Sequence, residues 1–127
     1  MNMPETGPDA PSMFRQVLGV VAGAVAGTLA NALMIAFFLP VSAISLIANP
    51  GRYVVALILA TALPFLFHRL GAIGGWIAGF LVLTLLSTLL AKLIFSAEGT
   101  WSAAFAFNAV YALAAILAYR YTTHGRA

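Results

Sequence analysis

Residues 16–51, QVLGVVAGAVAGTLANALMIAFFLPVSAISLIANPG, hold no charged side chain, and the first half of the stretch carries a glycine at every fourth position. A helix rises 1.5 Å per residue, so about 20 such residues match a hydrocarbon core of about 30 Å. Lipid offers exposed backbone groups no partner, so the stretch is expected to cross as an α-helix. It is longer than the apolar core of a cleaved signal peptide, which favours an uncleaved first span at about 17–39, ended by Pro40. Residues 41–48, VSAISLIA, are too short to cross; they lie in the interface or extend the first helix. Asn49-Pro50-Gly51 is a turn signal.

The rest of the chain repeats the pattern. Of its 127 residues, 63% are hydrophobic and 7% charged, against about 25% charged in an ordinary soluble domain. So few charges cannot solvate a domain this small, and lipid must be its main solvent. Further uncharged stretches cover 53–67, 70–91 and 99–119, none alternating as a barrel strand would. The expected fold is all-α, an integral membrane bundle of four transmembrane helices over residues 15–121, with spans at about 17–39, 52–69, 71–93 and 101–119. The tail 1–14, with Pro4, Pro8 and Pro11, is expected to be disordered, and 122–127 forms the C-terminal tail. The second span is short: the 15 residues between Arg52 and His68 make about 22 Å of helix. It crosses only if Arg52 and Arg69 snorkel or the bilayer thins, and Pro64 is expected to kink it.

Orientation follows from the basic residues. Four spans place Arg15, Arg69, Arg120 and Arg126 on one side and Arg52 and Lys92 on the other, which favours cytoplasmic termini. Arg15, Arg52, His68, Arg69, Lys92, Trp101 and Arg120 are expected to anchor helix ends at the two interfaces, with Tyr119 and Tyr121 at the far end of the last span. His68 is more readily an anchor than a titrating group, and Glu98 is expected to be solvated in its loop. An alanine-rich chain with no targeting peptide suits a bacterial inner membrane.

Glycine spacing is the most informative local signal. Gly19, Gly23 and Gly27 share one face of the first span, and Gly71, Gly75 and Gly79 share one face of the third. Such faces let helix backbones approach closely. They either pack the first span on the third within one chain, or form a homo-oligomer or a docking face for a larger membrane complex; chance is a third source in so glycine-rich a sequence. Asn31 continues the first face, and Tyr111 lies on the same face of the fourth span as Asn108. These amides either register helices by hydrogen bonds or, with Thr61, Thr84, Ser87, Thr88 and Tyr111, line a polar path. Back-bonding to their own helix is the commoner fate of the hydroxyls.

Several functions are excluded on residue type. Without cysteine there is no disulfide and no thiolate site. No metal site, cofactor site or catalytic constellation is expected: paired carboxylates, H-E-x-x-H and G-x-S-x-G are all missing, and His124 is remote from His68. Six scattered basic residues make no nucleic-acid surface. The size and four-span layout resemble those of the small multidrug-resistance exporters. The first span lacks the membrane-embedded glutamate that such a resemblance requires, so no family is assigned. Two functions are expected: a structural, accessory or assembly role through the glycine faces, or a channel or transporter for uncharged solutes or ions lined by Asn31, Ser87 and Asn108. Membrane lipids are the expected partners in either case.

Overall fold

The computed structural model describes residues 12–38, 42–94 and 101–124. The expected tail up to Pro11, the Pro40 stop and the loop around Glu98 lie outside these residues. Every element among the described residues is helical: α1 (Met13–Phe38), α2 (Ala43–Ile47), α3 (Pro50–Ala60), α4 (Ala62–Leu89) and α5 (Trp101–His124), with a π-helical turn, Leu90–Ile94, extending α4. Three helices are long and apolar enough to cross a membrane: Met13–Phe38, Pro50–Leu89 (α3 and α4 together) and Trp101–His124. Their outward rows, such as Val17, Val21 and Val25 on α1 or Ile73, Ile77 and Leu81 on α4, are large, apolar and exposed. This is the surface of an integral membrane protein.

Local chemistry sets the helix ends. Ser12 Oγ accepts from Arg15 N at 3.2 Å ahead of α1, Ser42 Oγ from Ser45 N at 3.4 Å at α2, and Asn49 Oδ1 from Gly51 N at 3.0 Å at α3. Pro50 follows at the first helical position of α3, where its missing N–H is not needed. α3 and α4 meet at Thr61, which keeps right-handed angles (φ −62°, ψ −17°). Pro64, three residues on, cannot donate to the carbonyl of Ala60, so the helix loosens at Thr61 rather than at the proline. Residues 43–47 form a separate short helix, and α5 continues five residues past Tyr119.

The larger break is at Gly71, whose angles (φ 77°, ψ −169°) leave the helical region inside α4. A Cβ on Gly75 would meet the Phe67 ring, and one on Gly79 would lie 3.0 Å from Leu63 Cδ2. In a straight helix, residues 16 apart are about 24 Å apart. The chain therefore reverses at Gly71, and the limb before it packs antiparallel on the limb after it.

The second antiparallel pair is α1 with α5. Gly19 faces Tyr119 and Thr123, Gly23 faces Ala115, and Gly27 faces Tyr111. Each step of four up α1 is matched by a step of four down α5. The expected packing of the first glycine face on the third span is therefore corrected: its partner is the last helix, whose row Tyr111, Ala115, Tyr119 and Thr123 fills the groove. The second face is split. Gly71 supplies the reversal, while Gly75 and Gly79 receive Phe67, Leu63 and, from α5, Ile116.

At the end of the bundle near Gly71 the interior is closed. Leu63, Phe67, Leu83, Ile116 and Tyr119 are fully buried, and the Phe67 and Tyr119 rings stack at 5.7 Å.

Two substitutions test this packing. The angles of Gly71 are essentially glycine-only, so Gly71→Ala is expected to lower the unfolding free energy by about 1–3 kcal/mol. On Gly23 a Cβ would sit 2.8 Å from the carbonyl oxygen of Ala115, a backbone atom that cannot swing aside. Gly23→Ala should lower the melting temperature in detergent well below that of Gly51→Ala, whose new Cβ meets only Asn49 Oδ1 at 3.3 Å. Equal melting temperatures for the two variants would contradict the α1–α5 contact.

Candidate functional site

Opposite the closed end, polar side chains from four helices converge. Asn31, on the row that carries the α1 glycines, donates through Nδ2 to the carbonyl of Phe107 on α5 at 2.7 Å. Its Oδ1 accepts from Nη2 of Arg52 on α3. The Tyr111 hydroxyl on α5 donates to the carbonyl of Ala56 on α3 at 3.0 Å. Asn108, also on α5, donates through Nδ2 to Thr88 Oγ1 on α4 at 3.0 Å. Each bond joins two helices, so the amides do register the bundle.

They also surround a space. A cavity of about 330 Å³ lies among α1, α3, α4 and α5. Arg52, Tyr111, Asn108, Ser87 and Thr28 give it a polar wall, and Val55, Leu59 and Leu90 an apolar one. Asn31 lies seven residues before the last residue of α1, and Asn108 seven residues after the first residue of α5. Both amides are thus about 10 Å inside the helix ends at 1.5 Å per residue. The cavity extends from the Asn49–Gly51 end of α3 inward to the level of Thr28, Leu59 and Ser87.

Not every expected polar residue serves it. Ser87 lines the cavity, but its hydroxyl donates back to Leu83 O at 2.5 Å. Thr88 is fully buried as the acceptor for Asn108. Thr84 is buried with its Oγ1 unpaired among the described residues, off the cavity wall. Thr61 is exposed and bonds to Ile58 O at 2.5 Å.

The expected anchors divide into two groups. Arg15, His68, Arg69 and Trp101 are exposed at helix ends or at the reversal, with Arg69 5.0 Å over the Phe65 ring. Lys92 is half-buried with its Nζ 5.9 Å over the Trp101 ring. Arg52 and Arg120 are corrections. Arg120 is only 5% exposed and lies 4.5 Å over the Phe67 ring, its charge facing an aromatic π-cloud inside the bundle. Arg52 turns inward to Asn31 rather than outward to headgroups.

The short second span was the sequence signal for this placement. Pro50 to Leu70 gives about 30 Å of helix, enough to cross, but only if Arg52 is counted inside the span. A charge inside a span is tolerated when it faces the bundle interior and finds polar partners.

A double-mutant cycle with Asn31→Leu and Arg52→Gln measures the bond on which the cavity wall rests. In lipid or detergent the expected coupling is about 0.6–1.7 kcal/mol, the range of interhelical hydrogen bonds. Strict additivity would mean that Arg52 does not engage Asn31.

No protein-family model matches the chain, and no curated protein or solved structure matches it either, so the chemistry of the cavity carries the functional reading.

Proposed function

We propose that the chain crosses a bacterial inner membrane four times, with both termini cytoplasmic, and binds a small polar solute in a one-sided intramembrane cavity, as a carrier or solute-binding protein. The observation that carries this reading is the cavity itself: amide, hydroxyl and guanidinium groups from four helices around a space of about 330 Å³. Four crossings are supported by the reversal at Gly71, which divides the stretch Pro50–Leu89 into two antiparallel limbs. The same reversal brings His68 and Arg69 to the end of the bundle that holds Arg15 and Arg120, and clustered basic residues favour the cytoplasmic side.

The closed half of the bundle argues for a carrier or binding protein over an open pore. Leu63, Phe67, Leu83, Ile116 and Tyr119 plug the interior between the cavity and the reversal. A solute entering from the Asn49 end stops there, and onward transport requires these side chains to move. An assembly role through the glycine faces finds less support, since Gly19, Gly23, Gly27, Gly75 and Gly79 are covered by the chain's own atoms. No catalytic step and no cofactor belong to this reading.

The test is ligand-dependent stabilisation of the purified protein. A panel of sugars, amino acids, nucleosides, carboxylates and phosphates is screened by thermal unfolding. A ligand at a hundred times its dissociation constant stabilises by about 2.7 kcal/mol, which shifts the melting temperature visibly. At least one solute class should raise it in the wild type and fail to do so in Ser87→Trp, which fills the cavity. No shift with any class, or shifts that survive in Ser87→Trp, would refute the proposal.

A further inference from the structure

We infer that the occupant of the cavity carries an oxyanion, a phosphate or carboxylate head, and that Arg52 is the residue that selects it. This deepens the solute-binding reading and rests on it.

Arg52 has no opposite charge beside it among the described residues. Arg52 carries a permanent positive charge into the cavity wall, and its one hydrogen-bond acceptor there is the neutral Oδ1 of Asn31. Its Nε is buried and has no hydrogen-bond partner among the described residues. The chain has three acidic residues, Glu5, Asp9 and Glu98, and all three lie outside the described residues. No carboxylate among the described residues is therefore placed to neutralise it. A half-buried guanidinium with no carboxylate beside it among the described residues carries a desolvation cost that a counter-charge offsets. A ligand that brings the counter-charge gains what the fold leaves unsatisfied.

The surroundings favour the same ligand class. Asn49 and Gly51 place the N-terminal end of α3, the positive end of its dipole, against the cavity. Asn108, whose amide keeps a second N–H beyond the one given to Thr88, adds a donor for an oxygen-rich head. A planar guanidinium held by one amide presents its remaining N–H groups as a fork that matches two oxygens of a carboxylate or phosphate. Val55, Leu59 and Leu90 then receive a carbon body behind that head. A cation would meet Arg52 with like-charge repulsion, and a neutral solute would leave the arginine as it is.

Two sources offer this head: a free organic anion and the headgroup of an anionic lipid entering from the membrane. Binding is measured on the purified full-length chain with two matched pairs. Glycerol phosphate against glycerol is titrated in uncharged detergent, and retention of phosphatidylglycerol against diacylglycerol is read by native mass spectrometry. In at least one pair the anionic member is expected to bind the wild type about tenfold or more tightly than its uncharged twin, the scale of charge-assisted hydrogen bonds. The pair that responds identifies the source. Arg52→Gln should erase that preference, and Ser87→Trp should block binding of both members.

Equal binding of charged and uncharged members to the wild type overturns the inference. So does a preference that persists in a folded Arg52→Gln. The wild-type comparison decides the matter even if that variant does not fold. Charge-blind binding that Ser87→Trp still blocks leaves the solute cavity standing and removes only the anion. Binding that Ser87→Trp leaves untouched removes both.

Discussion

Everything in this fold depends on one reversed peptide at Gly71. Without it the stretch Pro50–Leu89 would be a 40-residue helix about 60 Å long, twice the depth of the hydrocarbon core. With it, Phe67 and Leu63 come to rest on Gly75 and Gly79, and Val55 and Leu59 come level with Ser87 across the cavity. A side chain at position 71 would strain the backbone in a region that L-residues avoid. One residue without a Cβ thus fixes which limbs face each other and sets Arg52 of α3 and Ser87 of α4 on the wall of one cavity.

The packing on either side of that turn follows from the solvent. Helices in lipid gain little by hiding apolar surface, because the tails around them are as apolar as leucine. They associate through shape and through hydrogen bonds that lipid cannot supply. Both devices are present here, in separate places. Towards the reversal, glycines on α1 admit the tyrosines and Ala115 of α5 at van der Waals range, and the interior is filled. Towards the other end the glycine row gives way to Asn31, polar contacts replace close packing, and a cavity remains. The step from glycine to asparagine along one face of α1 marks the boundary between the two regimes.

Much of this was legible in the residues. The apolar runs give the helices, and the four-residue spacing of Gly19, Gly23, Gly27 and Asn31 gives a face made for close approach. What the spacing does not state is the partner, since a groove specifies depth and not identity. The complementary ridge was in view: Tyr111, Ala115, Tyr119 and Thr123 recur at the same four-residue interval, with two tyrosines whose rings such a groove accepts. The arginines were harder to read, because a long flexible side chain at a helix end can turn either to headgroups or inward. Arg52 and Arg120 both turn inward; the length of the second span hinted at it for Arg52, and no sequence signal did for Arg120. Gly71 looked like a member of a packing row because its helical spacing to Gly75 and Gly79 is regular; its backbone angle is invisible in the sequence.

A reversal at Gly71 predicts that the chain crosses back there, and the absence of cysteine makes this directly measurable. Single cysteines at Ser12, Arg69 and Asn49 are labelled in sealed, oriented membrane vesicles with a maleimide that cannot cross the bilayer. Ser12→Cys and Arg69→Cys should react from the same side, and Asn49→Cys only from the opposite one. If Arg69→Cys and Asn49→Cys were labelled from one side, the limb between them would not cross, and the cavity at its far end would not be a membrane cavity at all.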